Sequence, residues 1–130
     1  MTQNFRDPLK QVKGLGSAKD GTGHWIAQRL SSIVVAFLGL IIIGWLSQNY
    51  RLPYSEMVRI VGNPWGACVI FLFVASASYH AALGLQVIVE DYIHSPFWRY
   101  WLLMKIRLTG YILPVVTLFI LIQLMFMGSK

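Results

Sequence analysis

Charged side chains are scarce in this sequence. Its 130 residues include 11 Lys and Arg and 5 Asp and Glu, 12% together, against 56% hydrophobic residues. Soluble domains carry about 25% charged residues, and a chain this short cannot fold so much apolar side chain away from water. The expected solvent is therefore lipid, and the expected unit one small membrane domain with no room for a separate soluble catalytic domain. Cysteine is almost missing. Cys68 stands alone inside an apolar run, which excludes an intrachain disulfide and a cysteine metal site and leaves it as a small core residue. Acidic residues are fewer than basic ones, giving a net charge of +6. No basic helix or interleaved aromatic platform accompanies that excess, so nucleic acid is not an expected partner. The first 23 residues lack the apolar stretch of a cleavable signal peptide, so insertion is expected to be driven by the first membrane span.

What is present is three long apolar runs. Residues 1–29 read as a polar arm, broken by Gly14, Gly16, Gly21 and Gly23. The runs at 30–48, 65–89 and 108–127 each approach the roughly 20 residues that cross a bilayer. The fold class is all-α membrane, with three transmembrane helices. Between the first two runs, Pro53 and Pro64 bracket a polar connection in which Tyr54 to Val61 is expected to form a short interfacial helix. Residues 92–107 read as a second connection. It holds Pro96 and an aromatic cluster of Tyr92, Phe97, Trp98, Tyr100 and Trp101 beside Arg99, Lys105 and Arg107, the composition of an interfacial belt. Pro114 is expected to kink the third helix.

Three spans put the two termini on opposite sides. Arg6, Lys10, Lys13, Lys19, Arg29, Arg99, Lys105 and Arg107 fall on one side, and only Arg51, Arg59 and Lys130 on the other. The positive-inside rule then places the N-terminus in the cytoplasm or the mitochondrial matrix, in a bacterial cytoplasmic or mitochondrial inner membrane. Asp91 and Tyr92 emerge on that same inner side.

The chemistry-bearing residues are few. His80 lies well inside the second span, roughly 15 Å of helix from its inner end. Ionisable groups at that depth are costly, and their default reading is functional. A proton relay, a hydrogen bond between helices and a haem iron ligand all suit an imidazole there, and the residues leave the three open. Ser76, His80, Gly84, Val87 and Asp91 recur at offsets of three and four and share one helix face. Gly84, one turn from His80, would let a flat macrocycle approach the backbone, while small-residue helix packing accounts for it equally. Asp91 and Tyr92 form an acid–phenol pair able to serve a redox carrier that takes up protons. On the residues alone they are read first as a helix stop and a member of the aromatic belt. Arg29, with His24 near it, begins the first span on the same side. Its plainer role is a snorkelling arginine that fixes topology, and its further one a guanidinium that pairs with carboxylates or polarises a quinone oxygen.

In this order, these constellations resemble the small hydrophobic membrane anchor (the D subunit) of succinate dehydrogenase, respiratory complex II. The matching residues are Gly14-Leu15-Gly16-Ser17-Ala18-Lys19, Gly21-Thr22-Gly23-His24-Trp25, Gln28-Arg29, Ser32, and above all the run from Tyr79-His80 through Gly84 to Glu90-Asp91-Tyr92. The resemblance covers nearly the whole chain. The histidine–arginine signature of the larger cytochrome anchor, the C subunit, is missing, which points to the D role.

The resemblance implies an anchor that is not an enzyme on its own but a subunit of an oxidoreductase. It implies that this chain is half of a bundle sandwiching one haem b, with His80 as one axial iron ligand and a second ligand from the cytochrome b anchor subunit. By the same resemblance Arg29 and His24 lie toward the haem propionates, Gly84 lies where the haem approaches, and Tyr92 with Asp91 contacts ubiquinone, the substrate. The other expected partners are an iron–sulfur subunit, a flavoprotein subunit and the lipid bilayer. A fumarate reductase-type anchor and a non-redox structural membrane subunit are the alternative readings.

Overall fold

The computed structural model describes residues 21–128, and among them all regular structure is helical. Four helices follow one another: α1 (Gly21–Asn49), α2 (Tyr54–Val61), α3 (Pro64–Tyr92) and α4 (Pro96–Gly128). Three of them, over Thr22–Asn49, Pro64–Tyr92 and Pro96–Met127, are long and apolar enough to cross a membrane. This is the expected all-α architecture with three spans, and the short helix between the first two occupies the expected residues.

The helices overrun the apolar runs that announce them. Residues 21–29, read as the end of an irregular arm, are the first turns of α1, whereas residues 1–20 lie outside the described part. Gly21 and Gly23 cost about 1 kcal/mol each relative to alanine, yet the following residues pack against α3, and tertiary contact overrides the local preference. The connection expected over 92–107 shrinks to residues 93–95. Pro96 occupies the first position of α4, where its missing N–H leaves nothing unpaired. The basic and aromatic residues after it cover the helix surface, with Lys105 over the Trp101 ring at 5.0 Å and Arg99 over Tyr100 at 5.8 Å. Charge lowers hydropathy there without breaking the helix. At about 1.5 Å per residue, α4 is about 50 Å long against a hydrocarbon core of about 30 Å, so its ends stand in the interfaces. Pro114 lies within α4, which continues through it.

The start of α3 is set by Asn63, whose side chain accepts from the Trp65 backbone N–H at 3.0 Å, with Pro64 at the first helical position. The middle helix of the array is α3, which packs against both α1 and α4, while α2 lies over α4 and α3. The α1–α3 pairing is antiparallel. Gly39 meets Phe73, Ser31 meets His80 and Gly84 meets Gln28, a register that brings the start of α1 level with Asp91.

Burial is confined to small side chains and a few apolar ones. Ala67, Val89, Leu121, Ser31 and Ser78 are buried, and most large apolar residues face outward. Lipid is as apolar as leucine, so helix association in a membrane rests on close backbone approach and interhelical hydrogen bonds rather than on hiding hydrocarbon. Cys68 is exposed and does not belong to the core. The close approach of α2 to α4 is at Gly62, the C-cap of α2, where an added Cβ would stand 2.7 Å from the Leu124 carbonyl oxygen. Gly62→Leu is expected to lift α2 from α4 and cost about 1–3 kcal/mol. A thermal unfolding midpoint of the purified assembly equal to that of the unsubstituted protein would contradict this contact.

Candidate functional site

A polar strip runs along the α1–α3 interface near the start of α1. His24, Gln28 and Ser31 follow spacings of four and three, so they occupy one face of α1. Across from them α3 presents His80 and Gly84. Ser31 Oγ lies 2.9 Å from His80 Nδ1 and 3.1 Å from the Gln28 carbonyl oxygen. A Cβ on Gly84 would stand 3.5 Å from Gln28 Nε2, an ordinary contact that places the two residues opposite each other.

The two contacts of Ser31 Oγ favour one assignment of the imidazole proton, because the Gln28 carbonyl can use the hydroxyl proton. A serine hydroxyl has one proton, and a backbone carbonyl can only accept. With the Ser31 proton on the Gln28 carbonyl, Oγ is left as an acceptor and His80 Nδ1–H donates to it. The Nε2 atom of the neutral ring keeps its lone pair, and no described residue donates to it.

His24 Nε2 and Gln28 Oε1, one turn apart on the same strip, are buried without a hydrogen-bond partner among the described residues. Leaving such an atom unsatisfied costs about 1–3 kcal/mol. Two of them side by side mark a place where a polar group from outside the chain is expected. A nitrogen lone pair on His80 fits a haem iron and the orphaned His24 Nε2 fits an anionic haem substituent, whereas Gln28 Oε1 can only accept and calls for a donor.

The other expected site residues stand apart from this strip. Arg29 is exposed and its guanidinium lies over the Trp25 ring at 5.6 Å, with no contact to His80. Tyr92, at 75% exposure, ends α3, about 18 Å along the helix axis from His80. Asp91 beside it is exposed and makes no hydrogen bond or ion pair among the described residues. Its neighbour Glu90 is already engaged, accepting from Gln86 Nε2 at 2.9 Å. The end of α3 thus offers an unengaged carboxylate and an outward phenol. No group of three or more metal-ligating side chains occurs among the described residues, so His80 would be a lone protein ligand here.

A wide recess of about 600 Å³ lies at the other end of the bundle, between α1, α2 and α3. Its walls are apolar apart from Arg59 and Asn63, and Arg59 is held by Glu56 at 2.7 Å. It carries no group suited to redox chemistry.

Residues 3–105 match the family described as succinate dehydrogenase/fumarate reductase transmembrane subunit. The chain belongs to that family. It is 31% identical over 108 residues to a Rickettsia bellii protein named succinate dehydrogenase hydrophobic membrane anchor subunit, covering 83% of this chain and 86% of the relative. Proteins with the same name from Rickettsia conorii and Paracoccus denitrificans are 31% and 28% identical, over 72% and 65% of this chain and 75% and 66% of their own. The resemblance read from the His80–Tyr92 run is upheld, and with it the membrane-anchor character of the family member. From the sequence Ser31 carried no assignment, and Gln28 entered only through the Gln28-Arg29 match. The signal was their spacing with His24, which becomes visible once the helix is started at 21 rather than 30.

Proposed function

We propose that this family member is the hydrophobic membrane anchor of a succinate:ubiquinone oxidoreductase in a bacterial cytoplasmic membrane, with its N-terminus inside. In this reading His80 supplies one axial ligand to haem b through Nε2. Tyr92 and Asp91 form part of the ubiquinone site at the inner boundary. The observation that carries the reading is the Ser31–His80 contact, which leaves the lone pair of a membrane-embedded histidine unclaimed.

His24 would offer Nε2–H to an anionic group of the same haem, while Gln28 Oε1 would accept from a donor outside the chain. When bound, the haem supplies a one-electron store between the iron–sulfur subunit and the membrane. Tyr92 acts differently. Reducing a quinone takes two electrons and two protons, and a phenol at a wet boundary can donate a hydrogen bond to the carbonyl oxygen. Asp91, one residue away, can orient that donor or pass it a proton. Arg29 is near enough to the inner surface to hold an anionic group there. The partners are the cytochrome b anchor subunit, bringing the second iron ligand, an iron–sulfur subunit and a flavoprotein subunit. Succinate oxidation belongs to them.

An affinity tag on this chain is expected to co-purify a flavoprotein and an iron–sulfur protein, and the purified assembly is expected to reduce a water-soluble ubiquinone with succinate. Recovery of this chain without either partner would refute the anchor role, and recovery of both without quinone reduction would refute the quinone site.

A further inference from the structure

We infer that Ser31 is a positioning residue for His80. Its Oγ accepts the Nδ1 proton, fixes the tautomer whose Nε2 lone pair is free, and sets the plane and electron-donating strength of the ring. The inference rests on the haem-ligand reading of His80 and adds to it a residue on another helix.

Several observations carry it. Ser31 is 8% exposed, so its hydroxyl cannot exchange these partners for bulk water. The Gln28 carbonyl at 3.1 Å offers the hydroxyl proton an acceptor within α1 itself. The opposite arrangement, with Ser31 donating to Nδ1, would put the imidazole proton on Nε2 and block a bond to a metal there. Ser32 provides the contrast. Its Oγ makes the same kind of local bond, to the Arg29 carbonyl at 2.7 Å, yet reaches nothing on α3. Only at Ser31 does the local bond point an acceptor across the interface. The second hydrogen bond of a metal-ligating imidazole orients the ring and raises its basicity, which favours the oxidised metal.

The test uses the whole complex carrying Ser31→Ala, Ser31→Thr or His80→Ala, with co-purification of the flavoprotein as the assembly control. Redox titration of the haem and the low-temperature electron paramagnetic resonance g values of its oxidised form are the readouts. Ser31→Ala is expected to keep the haem but shift its midpoint potential to more positive values and move the g values. Ser31→Thr, which keeps a hydroxyl, is expected to restore both. Should Ser31→Ala fail to assemble, Ser31→Cys, a much weaker acceptor, is read in the same way. An alanine or cysteine variant with the unsubstituted potential and g values overturns the inference while leaving the ligand reading intact. Haem retained unchanged in His80→Ala overturns the ligand reading itself, and the positioning role with it.

Discussion

Replacing His80 with alanine is expected to empty the haem site of the assembled complex. The ratio of haem to covalently or tightly held flavin, measured by pyridine haemochrome assay, should fall at least tenfold. Losing only a supporting hydrogen bond to a metal-bound histidine costs about 10–100-fold in affinity, and losing the ligand removes the bond to iron as well. The environment explains why no neighbour substitutes for it. His80 faces Ser31, whose hydroxyl oxygen is too weak a donor for haem iron, and no other described side chain is hydrogen-bonded to the ring. His24 is nearer the start of α1, beyond Gln28, at a different depth. A haem ratio unchanged by the substitution would return His80 to a polar contact between helices.

Tyr92→Phe should act on a different step. The ring and its place at the end of α3 are kept and one hydroxyl is lost. That hydroxyl has no partner among the described residues, so its removal strands no buried group and should leave folding untouched. Removing a positioned proton or hydrogen-bond donor typically lowers a rate by about 10²-fold or more. Succinate-dependent ubiquinone reduction is expected to drop by about that factor. Reduction of an artificial acceptor that takes electrons before the membrane should stay within about twofold. Parallel loss of both activities would show that Tyr92 supports assembly and not quinone chemistry. Asp91→Asn provides a milder companion, because the amide can still orient a phenol but cannot deliver a proton.

The residues that made the fold legible are those whose physics is local. A run such as 30–48 is apolar over enough length to span a bilayer whatever lies beside it, and Pro53, Asn63 and Pro64 delimit α2 and α3 through local chemistry, the Asn63 side chain capping α3. Helix ends in the interface were harder to read. Residues 96–107 are helical because proline opens the helix and aromatic and basic side chains suit the headgroup layer, a preference that hydropathy scores as polar. The start of α1 eluded the sequence for the opposite reason, since Gly21 and Gly23 argue against a helix that packing on α3 then imposes.

The candidate site divides along the same line. His80 stood out because an imidazole is costly in lipid at any position, and Gly84 because it recurs one turn away on the same face. Ser31 did not stand out, because a serine in a membrane helix usually satisfies itself on its own backbone, as Ser32, Ser47 and Ser76 do. Its second contact joins residues 49 positions apart and depends on the antiparallel register of α1 and α3. Nothing in the local sequence carries that register. Asp91 and Tyr92 were legible only through the motif, since an acid and a tyrosine at a helix end are ordinary at a membrane boundary.

The central claim is that this chain and its partners hold a b-type haem between succinate and quinone. The most direct measurement is the dithionite-reduced minus oxidised optical spectrum of the complex isolated through a tag on this chain, recorded beside the same preparation reduced with succinate. The account predicts the sharp α-band and Soret change of a six-coordinate b-type haem with dithionite, present in amounts comparable to flavin. A flat difference spectrum from a complex that still contains flavin and still reduces ubiquinone would contradict it.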